Sequence, residues 1–192
     1  MSWWNDFWLD LHRKLLKAKT QPKGPVSAGI IVELGSMYSV EDERMRDRKE
    51  LLEACRSAIE EYPPKKNDKG EVIETYCNWA LRDIALTVGC GELRDKTANQ
   101  IHKHALNNPQ LFIQDSGERA AAHAMRGGFA FASQTADIHG HVAAVAPMEM
   151  EFSGSWNKKV PVLANVGKEN GMLRSSKCFR TEPTYFLWGE TA

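Results

Sequence analysis

The sequence predicts an α+β fold in which helices come first and an antiparallel sheet follows. Segments with helical spacing of apolar residues occupy most of the chain up to residue 125. The C-terminal third instead holds short runs rich in Val, Ala and Phe, separated by Gly, Ser, Asn and Pro. Segregation of helices from strands is typical of α+β domains. A chain of 192 residues fits one domain with an extra terminal element.

Residues 1–22 are predicted to form an amphipathic N-terminal helical extension, and residues 23–192 a single domain. The apolar face of the extension is rich in tryptophan and consists of Trp3, Trp4, Phe7, Trp8, Leu11, Leu15 and Leu16. Such a face usually packs on the core of its own domain. The alternative is contact with a membrane surface or a partner protein. Two prolines and a glycine in residues 21–25 predict a connector.

A strand at residues 28–34 and a charged helix at residues 40–62 are predicted next. Pro63 and Pro64 end that helix, and the polar residues 65–70 are predicted to form a loop. Three further helices are predicted at residues 77–88, 97–107 and 116–125.

The first of these three helices has Thr75 as its predicted N-cap and Gly89 as its C-terminal stop. Strands follow in the C-terminal third, and the predicted runs are residues 128–133, 140–146, 160–166 and 184–188.

Bulk composition excludes several classes of function. Lys+Arg and Asp+Glu are both 25, so no long-range field attracts the protein to nucleic acid or to an anionic membrane. No apolar run approaches the ~20 residues of a transmembrane helix, and no secretory signal is recognisable. We therefore expect synthesis in the cytoplasm. The four cysteines form no CxxC pair and are expected to be reduced thiols.

Cys77 is the candidate nucleophile because it falls in the first turn of a predicted helix. A helix N-terminus supplies partial positive charge and free backbone N–H groups, which lower a thiol pKa and favour the reactive thiolate. The N–H of Cys77 is also a possible donor to an oxyanion. The alternative is a small apolar residue at a buried helix start.

His141 is the candidate base because it opens a predicted strand directly after Gly140. A strand holds a base rigidly, and the glycine is expected to leave open space for a substrate. His139 is expected in the preceding turn. Asn165 interrupts an apolar strand and is the candidate to orient the imidazole of His141. A strand-end asparagine without that role is the alternative.

These residues carry a resemblance to a known family. Tyr-Cys-Asn-Trp at residues 76–79, Gly-His-Val-Ala-Ala-Val at 140–145 and Ala-Asn-Val-Gly at 164–167 resemble, in order and spacing, the papain-like cysteine amidases and peptidases of the CHAP and NlpC kind. The likeness covers residues 74–171. It differs at the nucleophile, where NlpC-type enzymes usually have Asp-Cys-Ser.

The resemblance implies a papain-like domain whose nucleophile helix packs on an antiparallel sheet. It assigns the catalytic roles to Cys77, His141 and Asn165, without a metal or cofactor. The neighbouring side chains are expected to bind substrate; they are Tyr76, Asn78, Trp79, His139 and Gly140. Because many members cleave bacterial peptidoglycan, the expected substrate is a peptidoglycan amide. The protein would then reach the cell wall through lysis or a secretion machine.

Three other functions stay open on the sequence alone. The same residues serve a cysteine peptidase or deamidase that acts on a protein. A non-catalytic binding or structural protein of a phage or secretion system is the second alternative. The third is a zinc site made from Cys77, His139 and His141, since zinc takes cysteine and histidine ligands.

Overall fold

The computed structural model describes residues 40–189, without the side chains of residues 40–44 and 46. The predicted amphipathic helix, the connector and the strand at residues 28–34 lie outside the described residues. Within the described part, no helix has the length and apolar character needed to cross a bilayer.

Five helices occur in the described chain, and the four longest match the predicted ones. They are α1 (Val40–Glu61), α2 (Cys77–Thr87), α3 (Ala98–Asn107), α4 (Gly117–Met125) and the short α5 (Ser175–Cys178). The structure adds α5, which the sequence did not predict.

The strands are short, and most follow the helices in chain order. They are β1 (Lys65–Lys66), β2 (Val72–Glu74), β3 (Phe112–Asp115), β4 (Ala130–Gln134), β5 (His141–Val145), β6 (Glu151–Ser153), β7 (Lys158–Val160), β8 (Val162–Asn165), β9 (Gly171–Arg174) and β10 (Thr184–Trp188). The predicted loop at residues 65–70 is wrong in part, because Lys65 and Lys66 pair with β2 in a small hairpin.

The main sheet has six strands in the order β3-β10-β4-β5-β8-β9, and every neighbouring pair is antiparallel. β6 and β7 form a separate hairpin. The predicted mixed α+β class with an antiparallel sheet is therefore confirmed. Strands β4, β5, β8 and β10 fall on predicted runs, whereas β3 and β9, at the two edges, were not predicted.

The core lies between the helices and the main sheet. α2 packs against α1 on one side and against β5 on the other. Four fully buried phenylalanines fill the sheet's inner surface, namely Phe112, Phe129, Phe131 and Phe186. Phe131 is central among them, since its ring centroid is 5.2 Å from that of Phe186 and 5.9 Å from that of Phe129. This packing fixes the sheet on which α2 lies.

The ends of α2 set the position of Cys77. Cys77 is the first helical residue, as predicted, but the N-cap is Tyr76 and no side chain caps it, so the prediction of Thr75 is wrong. Gly89 ends the helix at φ +90°, and the N–H groups of Gly89 and Cys90 donate to the carbonyls of Leu86 and Ala85. This is a Schellman motif, which favours glycine at its left-handed position.

α3 begins with a capping box that the sequence encodes locally. The Thr97 hydroxyl accepts a hydrogen bond from the Gln100 N–H, and the Gln100 side chain accepts one from the Thr97 N–H. This start places Asn99 against the turn between β4 and β5, where its amide donates to the Ala136 carbonyl at 2.8 Å. The turn that leads into His141 is therefore held by α3.

Candidate active site

Cys77, the first residue of α2, lies beside the start of β5. Cys77 is 8 % exposed, and the backbone amide of Val142 lies close enough to its thiol to lower the thiol pKa. Because Val142 directly follows His141, this contact brings the candidate nucleophile alongside the segment that carries the candidate base. The packing of α2 on β5 thus places the element that begins with Cys77 against the strand that begins with His141.

Burial raises the pKa of the Cys77 thiol above its ordinary value. The backbone amides of Val142, Asn78 and Cys77 oppose that rise, because they donate to the sulfur and favour the thiolate. The helix start therefore acts on the thiol in the expected direction, but burial outweighs it. Removal of the thiol proton consequently needs a base.

His141 and Asn165 form a direct hydrogen bond, with 2.8 Å between His141 Nε2 and Asn165 Oδ1. The orientation of the amide is fixed on its other side, where Asn165 Nδ2 donates to the Glu169 carbonyl. Oδ1 must then face the imidazole, so Nε2 carries the proton and donates it. Nδ1 is left with a lone pair and is the nitrogen that can accept a proton.

The surroundings of His141 keep its imidazole neutral. Burial lowers the pKa of His141, and the hydrogen bond with Asn165 opposes this effect. Phe179 is buried and lies beside the ring, with 5.0 Å between the two ring centroids. A neutral imidazole with a free Nδ1 is the form in which histidine acts as a base.

An aromatic cluster of Tyr62, Tyr76 and Trp79 flanks the candidate nucleophile. The Tyr76 and Trp79 ring centroids are 5.6 Å apart, and Tyr62 contacts both rings from the end of α1. Trp79 is 50 % exposed although it is a large apolar residue. The cluster therefore offers an aromatic surface next to Cys77. Asn78 is engaged elsewhere, since its amide donates to the Lys96 carbonyl at 3.1 Å.

The turn before β5 contains the other predicted substrate-binding residues. His139 is exposed in that turn, as expected, and lies outside β5. The reason given for Gly140 is wrong, because its open side is occupied by protein. A Cβ on Gly140 would lie 2.3 Å from Asn99 Oδ1 and 2.7 Å from the Gln134 carbonyl oxygen. Glycine is needed there for close packing of α3 against the turn.

Sequence reasoning missed residues that support the His141–Asn165 pair from other elements. Phe179 follows α5, and Gly167 and Asn170 lie in the loop between β8 and β9. The polar and glycine-containing run after Asn165 was a detectable turn signal. The run does not, however, reveal which distant groups the loop contacts.

The other three cysteines share with Cys77 a thiol pKa that burial raises. Burial raises the pKa of Cys55 and of Cys178 to about 12, and it also raises the pKa of Cys90. Cys55 and Cys90 are enclosed in the core, and Cys178 is half-buried. These thiols are therefore matched references for any reaction of Cys77.

The zinc alternative finds no support in the arrangement of the side chains. Among the described residues, no three His, Cys, Asp or Glu side chains are grouped so that they could hold a metal ion. His139 is exposed in its turn, while His141 uses Nε2 to bind Asn165.

No protein-family model and no curated protein matches the chain. Function is therefore inferred from the site geometry and from the local sequence resemblance.

Proposed function

We propose that the protein is a cysteine hydrolase that cleaves an amide bond, with Cys77 as nucleophile, His141 as base and Asn165 as the residue that orients the base. The observation that carries the proposal is the 2.8 Å bond between His141 Nε2 and Asn165 Oδ1, next to the strand segment whose Val142 amide contacts the Cys77 thiol. A nucleophile, a base and an orienting group in this relation are typical of covalent catalysis.

The reaction begins when His141 Nδ1 accepts the thiol proton and Cys77 Sγ attacks the amide carbon. The C–N bond then breaks, and the imidazolium returns its proton to the leaving amine. Water attacks the resulting thioester while His141 takes a proton from the water. The carboxylic acid leaves, and Cys77 recovers its proton. The protons and the bonds balance over one turnover without any further reactant.

The oxyanion formed in both halves of this reaction has candidate donors at the start of α2. The first N–H groups of a helix have no partner within the helix. Those of Cys77 and Asn78 lower the pKa of the thiol, so both lie near the sulfur. Preorganised backbone donors near a developing negative charge stabilise the tetrahedral intermediate. These two amides are accordingly the proposed oxyanion donors.

The proposed substrate is a peptide amide of bacterial peptidoglycan, and this choice is supported by the resemblance at residues 76–79, 140–145 and 164–167. Tyr76 and Trp79 would contact the substrate beside the nucleophile. Phage-mediated lysis or a secretion machine would bring the protein to the wall. The Trp-rich segment at residues 3–16 is a possible contact for a membrane or a partner protein.

The experiment is digestion of purified Gram-negative sacculi, with newly freed amines identified by mass spectrometry. We expect the wild type to release muropeptides cut at one type of amide bond. Cys77→Ala should abolish the release and keep the fold, because only one sulfur is lost. Cys178→Ala is the matched control, since it removes a half-buried thiol without proposed chemistry and should retain activity.

Two results would contradict parts of this proposal. A Cys77-dependent activity on proteins or small amides, without any cut in sacculi, would reject peptidoglycan and keep the hydrolase class. Absence of hydrolysis by the wild type on sacculi, on proteins and on small amides would favour a non-catalytic binding protein.

A further inference from the structure

Asn170 forms hydrogen bonds with two parts of the chain that are far apart in the sequence. Its Nδ2 donates to the carbonyls of Ile59 and Tyr62, at 3.0 and 2.8 Å, and its Oδ1 accepts from the Gly167 N–H at 3.0 Å. All the polar atoms of this side-chain amide are therefore used. The two groups it connects are the end of α1 and the loop between β8 and β9.

The contacts with Ile59 and Tyr62 satisfy the end of a helix. The last carbonyls of an α-helix lack partners within the helix and need donors from elsewhere. α1 ends at Glu61, so the carbonyls of Ile59 and Tyr62 belong to its final turn and the residue after it. Asn170 supplies this donor from more than 100 residues away along the chain. α1 thereby becomes a fixed support for the loop.

Through its contact with Gly167, Asn170 also holds the part of the loop that lies against the candidate base. A Cβ on Gly167 would lie 3.5 Å from both His141 Cε1 and Asn165 Nδ2, so the loop backbone lies directly against the pair. The Glu169 carbonyl, in the same loop, accepts from Asn165 Nδ2. The position of this carbonyl decides whether the oxygen or the nitrogen of the Asn165 amide is turned to His141.

We propose that Asn170 is a positioning residue, which holds the loop at residues 166–170 against α1 so that Asn165 keeps His141 in its Nε2–H form. The inference rests on the proposed function for its catalytic meaning. Its structural part concerns only the tautomer and orientation of His141. Loss of Asn170 frees the Glu169 carbonyl to move, and the Asn165 amide can then rotate.

The test compares the wild type with Asn170→Ala by NMR of protein labelled with ¹⁵N at histidine. We expect the wild-type His141 to give the signals of one tautomer, and the variant to give a mixture of the two. In hydrolysis assays, kcat should fall at least about tenfold with KM within about twofold, because the base is misplaced while substrate contacts remain.

Asn67→Ala is the matched control. Asn67 is also half-buried, and it also bridges a turn, with bonds to the Lys69 and Glu71 amides at 3.0 and 2.9 Å, but it lies in the β1–β2 hairpin. We expect it to leave the His141 signals and kcat unchanged. If Asn170→Ala does not fold, Asn170→Asp is measured instead, since it keeps the Gly167 acceptor and loses both donors to α1.

A folded Asn170 variant whose His141 signals match those of the wild type would overturn the inference. This outcome is distinct from failure of the proposed function. If the wild type cleaves no amide, the NMR comparison still decides whether Asn170 positions His141. If the wild type is active and Asn170→Ala and Asn67→Ala lose the same share of its activity, Asn170 has only a general effect on the fold. The inference then also fails.

Discussion

The hydrogen bond between His141 and Asn165 sets the tautomer of the candidate base, while burial sets the direction of its pKa shift. Burial of the ring disfavours the charged form, which is why the pKa of His141 lies below its ordinary value of about 6.5. A base of this kind is unprotonated throughout the neutral range. In the proposed reaction, a proton that His141 took from Cys77 would create a buried imidazolium, which only the hydrogen bond with Asn165 favours.

The lowered pKa of His141 predicts a specific pH dependence of stability. Below pH about 6.5 the unfolded chain binds a proton at this histidine more readily than the folded protein does. The free energy of unfolding should therefore fall as the pH drops from about 6.5 through the folded pKa, and this contribution should be constant above pH about 6.5. Urea denaturation between pH 5 and 8 measures it.

His141→Gln is expected to remove this part of the pH dependence, and His139→Gln to retain it, because His139 is exposed in the turn before β5. Equal slopes for the wild type and His141→Gln would show that His141 does not have a lowered pKa.

Turnover should distinguish the two histidines as well. His141→Asn is expected to reduce kcat/KM by about 100-fold or more, the usual contribution of a general base. His139→Asn should have a small effect, since only His141 contacts Asn165. Steady-state kinetics on the substrate found with sacculi provides the comparison. A larger loss at His139 would reverse the assignment of the base.

The two ends of α2 differ in how their backbone groups are hydrogen-bonded. Its first turn leaves the backbone amides of Cys77 and Asn78 free for the thiol, while its last turn is closed by the Schellman motif at Gly89. A fixed end keeps the register of the helix against β5, and hence the position of Cys77.

Gly89→Ala is expected to destabilise the protein by about 1 kcal/mol or slightly more. An added Cβ meets only Trp188 at 4.0 Å, so the cost comes from the left-handed backbone at φ +90° and not from a clash. Gly91→Ala is the control, because Gly91 lies two residues further along the chain, outside the motif, and its Cβ would have open space. Thermal and urea unfolding should separate the two variants, and equal stability would contradict the role of the motif.

The sequence could predict those elements whose signals are local. The starts of α3 and α4 were predicted to within one residue, and the structure shows that Thr97 and Ser116 cap them, each within its own turn. The edge strands β3 and β9 were missed, since each has four residues without clear alternation. Their strand structure depends on pairing with β10 and β8, which a local pattern does not show.

The residues of the candidate site also divide into those that a local sequence pattern marks and those that it does not. Cys77, His141 and Asn165 were chosen as candidates because each stands at a recognisable point of a helix or strand. Phe179 and Asn170 were not, because their importance comes from contacts with His141 and with the end of α1, far away in the sequence. The raised pKa of Cys77 was also not predictable, since burial is a property of the packed structure.

At the scale of the whole molecule, β10 joins the two parts of the main sheet. It lies between β3 and β4 and pairs with both. Phe186, in its middle, is fully buried and stacks on Phe131. The stability of the sheet therefore depends on a strand distant in sequence from the catalytic candidates.

Phe186→Ala is expected to lower the free energy of unfolding by about 3–5 kcal/mol, the usual cost of removing a phenyl ring from a core. Phe152→Ala is the matched control, because Phe152 is 57 % exposed on β6 and its loss should be nearly neutral. Chemical denaturation followed by circular dichroism measures both. A loss below about 1 kcal/mol for Phe186→Ala would mean that β10 contributes little to the core.

The position of β10 also has a consequence for biosynthesis. Residues 184–188 follow every other described strand in chain order, yet they occupy an interior place in the sheet. While a ribosome makes the chain, at about 5–20 residues per second, β3 has no neighbour in the sheet until these residues emerge. The nascent protein must therefore keep Phe131 and the unpaired edge of β4 from aggregating until then, and the sheet is completed only after every other described strand has been made.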